Sequence, residues 1–164
     1  EGIYTFKHTL YLYKKKNVFI CGFGKVKFLL NDVNQDVISV KGCRNITLSN
    51  ISAQHTQPLV EYQCHGSVLR LNRVNGATII GCELNGCGAV GIFADQVKKL
   101  NLVNNYIHHN SFTALYFYYV SKITMKNCIV VDNKGFLESY YSDDFITNGN
   151  IMSNNTGYWE ELGN

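Results

Sequence analysis

Proline is almost missing from this chain, with Pro58 its single example, and charged residues make up only 16% of it. In a chain with 11 tyrosines and 9 phenylalanines, that scarcity excludes a disordered or acidic tail, which carries many charges and few aromatic rings. Long apolar runs are absent too, and none approaches the roughly 18 residues a membrane-spanning helix needs. No secretory signal is visible. The chain opens at Glu1 rather than Met, so a mature or trimmed chain, or a fragment of a longer one, is expected. Behind the net charge of +3 there is no basic run beyond Lys14-Lys15-Lys16, which reads as a solvated turn, so no nucleic-acid partner is expected. Six cysteines in 164 residues fall short of a disulfide scaffold, and none forms a Cys-x-x-Cys pair with zinc-site spacing. No window of 11 residues holds an apolar stripe at helical spacing, which argues against helices.

What the chain does contain is a phrase written again and again: apolar, any, apolar, any, then Gly or Asn, then a small or amide residue. It runs as Ala77-Thr78-Ile79-Ile80-Gly81-Cys82, Leu100-Asn101-Leu102-Val103-Asn104-Asn105 and Ile123-Thr124-Met125-Lys126-Asn127-Cys128. The anchors of these copies, Gly81, Asn104 and Asn127, are 23 residues apart (104 − 81 and 127 − 104). Further copies end at Gly22, Asn50 and Gly149, adding steps of 28, 31 and 22 (50 − 22, 81 − 50 and 149 − 127). Alternation of period two inside a repeat of this length is the mark of stacked β-coils. The two long steps imply insertions of about five to eight residues, placed around Phe28–Gln35 and Ser52–Tyr62, bulging from a regular body.

A second strand precedes each anchor at a fixed offset. Twelve residues back lie Leu10, Ile38, Leu69, Ile92, Leu115 and Leu137, and ten back lie Leu12, Val40, Leu71, Ala94, Phe117 and Ser139. All but Ser139 are apolar, which sets these residues inward on successive rungs of one parallel sheet. The pattern predicts an all-β parallel solenoid of about six coils, 22–31 residues each, with at least two strands per coil. It reads as one domain over residues 1–164, with 156–164 as a C-terminal cap or tail.

Asn104-Asn105-Tyr106-Ile107-His108-His109-Asn110 and Lys126-Asn127-Cys128-Ile129-Val130-Val131-Asp132-Asn133 resemble the repeats of the right-handed parallel β-helix superfamily, the pectate-lyase-like group. Glu1-Gly2-Ile3-Tyr4-Thr5-Phe6 and Asn17-Val18-Phe19-Ile20-Cys21-Gly22-Phe23-Gly24 are similar to its opening coils. The resemblance covers roughly residues 1–155 and implies a single-stranded right-handed parallel β-helix. Pectate lyases, polygalacturonases, alginate lyases and epimerases, and phage tailspikes share that scaffold, so the resemblance speaks for fold more than for function. Two family patterns are missing: Asp143-Asp144 and Cys64-His65-Gly66 do not assemble the polygalacturonase set, and there is no Asp-Pro-His. The usual N-terminal helical cap is also missing, so either Tyr4 and Phe6 cover the near end or the chain is a fragment of a longer one, and the aromatics of Gly157–Leu162 are expected to close the far end.

The same offsets predict ladders. Cys64, Cys87 and Asn110 share one position, so Cys64 and Cys87 are either bonded or two free thiols in a row of small turn residues. Cys82, Asn105 and Cys128 form another row with Ile51 and Asn150, where an amide can serve the turn backbone. Cys21 and Cys43 read as small core residues. His108-His109 reads as a polar turn, and no metal site is expected. His55 belongs to the second insertion, which would deliver an acid or base if it folded over the sheet.

Function is expected on the outward side of the strand preceding each anchor. Its outward rows are Tyr11, Ser39, Arg70, Phe93, Tyr116 and Glu138, then Tyr13, Lys41, Asn72, Asp95, Tyr118 and Tyr140. Rings in rows suit the apolar faces of sugars, with hydroxyl, amide and charged groups beside them for sugar hydroxyls. The candidate ligand-binding residues are therefore Phe93, Asp95, Tyr116, Tyr118, Tyr140, Arg70, Asn72 and Lys41, and the candidate catalytic residues are Asp95, Arg70 and Glu138. The expected partner is a polysaccharide or surface glycan, and the expected location is secreted, periplasmic or cell-surface. The first reading is a glycan-binding or adhesion module without a cofactor. The second is a lyase, hydrolase or epimerase of the superfamily, with Ca²⁺ if a lyase. In the third the rings pair only with one another, or the aromatic face packs on a protein partner or a second copy.

Overall fold

The computed structural model describes residues 1–56, 65–86 and 89–155. Every element among them is a strand, and every strand pairing is parallel. A first strand, β1 (Gly2–Phe6), precedes six coils. Coil one holds β2 (Leu10–Tyr13), β3 (Lys16–Cys21) and β4 (Val26–Leu30); coil two holds β5 (Ile38–Lys41), β6 (Arg44–Ser49) and β7 (Ser52–His55). Coil three holds β8 (Leu69–Asn72), β9 (Asn75–Ile80) and β10 (Glu83–Asn85). In coils four and five the first two strands fuse, giving β11 (Val90–Val103) with β12 (Tyr106–His108), then β13 (Thr113–Lys126) with β14 (Ile129–Val131). Coil six holds β15 (Leu137–Tyr140), β16 (Asp143–Asn148) and β17 (Ile151–Ser153).

Two sheets result. The third strand of each coil joins β1 in a seven-stranded sheet, ordered β1-β4-β7-β10-β12-β14-β17. The first and second strands form the two limbs of a bent sheet, united where β11 and β13 run through the bend. The register matches the expected offsets: Leu10, Ile38, Leu69, Ile92, Leu115 and Leu137 pair in series, and Leu12, Val40, Leu71, Ala94, Phe117 and Ser139 lie beside them. Between the sheets lies one continuous core, in which Leu69, Leu71, Ile92, Leu100, Leu102 and Leu115 are fully buried.

Backbone geometry explains five of the six anchors, while at Gly22 a Cβ would fall on the Asn50 carbonyl. Asn50, Gly81, Asn104, Asn127 and Gly149 all have left-handed φ, between 52° and 65°, where a side chain branching at Cβ is crowded and Gly or Asn costs least. Two more left-handed residues turn each coil between the limbs; on coil four they are Gln96 and Lys99.

Four expectations need correcting. Phe28–Leu30 and Ser52–His55 are strand, not insertion: β4 pairs with β7, the extra length of coil one begins at Asn31, and residues 57–62 of the second expected insertion lie outside the described residues. A step counted from anchor to anchor carries no information on where within the coil the extra residues fall. His55 accordingly ends β7, fully buried, with Nε2 2.7 Å from the Gln35 carbonyl and Nδ1 unpartnered. It does not cover the tyrosine face. Cys21 is partly exposed at the edge of β3, because it stands one residue off the inward row, whereas Cys43 is buried. At the near end Phe6 packs on the core, while Tyr4 stays largely exposed with its edge on Phe28. The Cys64–Cys87 pairing and the C-terminal cap lie outside the described residues.

Candidate functional site

The strands β5, β8, β11, β13 and β15 carry the expected face on one limb of the bent sheet. Arg70, Phe93, Tyr116 and Glu138 are paired in series along one outward row, and Lys41, Asn72, Asp95, Tyr118 and Tyr140 along the next. Parallel rungs about 4.8 Å apart let flat groups stack from coil to coil. The Arg70 guanidinium lies 4.2 Å from the Phe93 ring centre, Phe93 stacks on Tyr116 at 4.8 Å with a 5° tilt, and Tyr116 meets Tyr140 at 5.8 Å. Arg70 is held there by Asp36, whose Oδ2 accepts from Nε at 2.8 Å and whose Oδ1 accepts the Ser67 N–H at 2.9 Å.

The row is not uniformly open. Ser39 is buried, and Val33 and Phe112 pack with Ala89 and Val90 against Phe93 and Tyr116, so these two rings are half-buried. Tyr118, Tyr140 and Lys41 are exposed. Burial first, and then the Glu138 carboxylate, holds the Tyr116 hydroxyl above the usual tyrosine range. Tyr118 is raised as well, by desolvation and by its neighbour Tyr119. Both hydroxyls therefore remain protonated donors through neutral pH.

Asp95 is the polar centre of the second row. The Asn72 amide N–H donates to its Oδ2, while its Oδ1 is buried with no protein partner. Glu138 lies two coils and two residues away, which puts the two Cα atoms about 12 Å apart from strand spacing and rise. Paired carboxylates of a glycosidase stand about 5–9.5 Å apart. Arg70, one coil away from Asp95, is already engaged by Asp36. Calcium fits poorly here: it takes six to eight oxygen ligands, and Asn72 turns its nitrogen toward the one carboxylate in reach. Among the described residues no group of three or more His, Cys, Asp or Glu side chains is placed to hold a metal ion.

The sequence reading passed over a polar group on the seven-stranded sheet. His108 lies on β12 and is buried, rather than standing in a turn. Its Nε2 is 3.2 Å from the Glu83 carboxylate, its Nδ1 is 2.7 Å from His109 Nδ1, and Tyr106 stacks on it at 3.9 Å. With Glu83 accepting from Nε2–H, His108 Nδ1 is the acceptor for His109 Nδ1–H. Burial pushes the His108 pKa down, against the pull of Glu83. The available signal was an outward row of β10 and β12, but three-residue strands are too short for alternation to be read.

The description "Right handed beta helix region" matches residues 12–160. The chain belongs to the right-handed β-helix family. Among curated proteins no match to the sequence is found. A crystal structure of a candidate glycosyl hydrolase from Parabacteroides merdae is similar, with a TM-score of 0.53 and 12% identity over 92% of this chain and 80% of that one. At that identity the likeness concerns the β-helix itself, so any function has to be argued from this chain's own side chains.

Proposed function

We propose that this β-helix binds carbohydrate, holding a glycan along the outward face of the first limb. The observation that carries this reading is the stack from Arg70 through Phe93 and Tyr116 to Tyr140, flanked by Asn72, Asp95 and Tyr118. A sugar ring has an apolar C–H face and a polar rim. The aromatic row offers a platform for the first, and the flanking row offers donors and acceptors for the second. A surface or extracellular location fits such a ligand. Similarity to a candidate glycosyl hydrolase agrees with carbohydrate in kind, at the level of fold.

Binding is preferred to cleavage because the Asp95 and Glu138 backbones stand about 12 Å apart by strand spacing and rise, beyond the span of a glycosidase carboxyl pair, and Arg70 is engaged by Asp36. It is preferred to a protein interface because the polar row interrupts what would otherwise be an apolar patch. Tyr118→Ala is expected to weaken oligosaccharide binding by about tenfold, read on a glycan array and then by calorimetry, with the circular dichroism spectrum unchanged. Binding to every glycan indifferent to the change would sink the reading. Product released from uronate or neutral polysaccharides, with or without Ca²⁺, would replace it with the enzymatic one.

A further inference from the structure

The bend joining the two limbs collects cations that the linear sequence scatters. Lys14, Lys15 and Lys16 stand there on coil one, and Arg44 on coil two. Arg73 follows on coil three, Lys98 and Lys99 on coil four, and Lys122 on coil five. These eight are the majority of the 15 basic residues of the chain, and all eight are exposed. In register, Lys16 pairs with Arg44, Arg44 with Asn75 and Asn75 with Lys98, so the charges recur along the solenoid axis at multiples of about 4.8 Å. That spacing lies inside the roughly 8–10 Å screening length of physiological salt, so their fields add.

Nothing in the described part of the molecule neutralises the row. Among the described residues none of these cations is in an ion pair; Arg70–Asp36 and Glu83–His108 both lie away from the bend. The acids that share its outward rows are Asp143 and Asp144, both on coil six. Lys14, Arg73, Lys99 and Lys122 also sit at left-handed φ of 51°, 53°, 61° and 56°, positions that glycine or asparagine fills at lower cost. On coil four, Lys98 stands in a hollow lined by Gln96, Val97, Tyr119 and Ser121, where an ammonium, an amide, a hydroxyl and a ring converge.

We propose that this ridge docks an acidic polysaccharide, one bearing carboxylate or sulfate groups, laid along the solenoid axis from coil one to coil five. The choice of a glycan rests on the carbohydrate reading of the adjoining face, but the residues are different ones. A single-stranded nucleic acid is the poorer fit, because its binding sites interleave stacking rings with cations. In the outward rows of the bend the rings are Tyr119 and Tyr141, on coils five and six, and Tyr13 lies beside Lys14 on coil one, so the cations of coils two to four have no ring among them in their own coils.

The test is retention of polygalacturonate, alginate, heparin, neutral dextran and single-stranded DNA by the whole chain, at low and at high salt. Acidic polysaccharides should be held and released by salt. The variant Lys98→Gln/Lys99→Gln/Lys122→Gln should lose about tenfold or more in affinity for them, and Lys14→Gln/Lys16→Gln/Arg44→Gln should act in the same direction. All six side chains are exposed, so both variants should keep the wild-type circular dichroism spectrum. Tyr118→Ala should leave this binding in place. If it does, and no neutral glycan binds at all, the ridge stands and the aromatic-face reading falls. The proposal is overturned if no acidic polysaccharide is retained, if both charge variants bind as the wild type does, or if DNA is held more tightly than any acidic glycan.

Discussion

Asn105 does at one residue what a coil boundary requires. Its Oδ1 accepts the Cys82 N–H at 3.0 Å and its Nδ2 donates to the Ile79 carbonyl at 2.8 Å, both on the coil before and both away from water. Asn150 repeats the arrangement for Cys128 N–H and the Met125 carbonyl. Asn105→Ala strands a buried donor and a buried acceptor together. It is expected to cost about 2–4 kcal/mol, measured by urea unfolding. This ladder was legible because the row repeats at a constant offset from the anchors. A second one, Asn110–Asn133–Asn155, was caught only at Asn110: coil six is shorter, and Asn133 falls one residue out of step with the count. Buried histidines set the acid limit. Burial lowers the folded pKa of His55, and that of His108, below the unfolded value of about 6.5. The unfolded chain then binds more protons, so their contribution to stability is complete above that value and is lost as pH falls below it. Urea midpoints should drop between about pH 7 and pH 5, and His55→Leu should flatten the fall.

At the scale of the element, each strand exists because its coil can close around it. β10 and β12 come so near at their ends that a Cβ on Gly86 would fall on the His109 carbonyl. Gly86→Ala should therefore destabilise by about 1–3 kcal/mol and disturb the Glu83–His108 contact, visible as a changed imidazole chemical shift. The bent sheet could be read from sequence because its limbs are four to six residues long and alternate cleanly, as in β8 and β9. The candidate face followed from it, down to the pairing of Phe93 with Tyr116 and Asp95 with Tyr118. Its partial roof did not, because Val33 and Phe112 reach the face from loops whose course no periodicity describes. The cationic ridge stayed hidden for a different reason: neighbours along it are 23 to 31 residues apart in the chain, as between Lys16 and Arg44 or Arg44 and Asn75.

Taken whole, the molecule is a one-dimensional stack in which each coil is supported by the coils on either side. Support is unequal. Coils three to five bury their inward rows almost completely, whereas every residue of β16 is exposed and β2 and β3 are only half-buried. Amide hydrogen exchange should therefore be slowest in β9, β11 and β13 and fastest in β16 and β17, with β2 and β3 between. Equal protection along the stack would contradict a nearest-neighbour account of its stability.

The in-register stacking that builds the core also makes the outer wall a ruler. Each outward row carries one tick per coil, about 4.8 Å from the next, and the number of ticks is the number of coils. A polymer whose own repeat matches that interval keeps phase with the wall from end to end, while one with a different repeat drifts until its groups face the gaps. Selectivity on such a surface is set by commensurate length as much as by chemistry, and lengthening the stack by one coil sharpens it without altering any residue already in place.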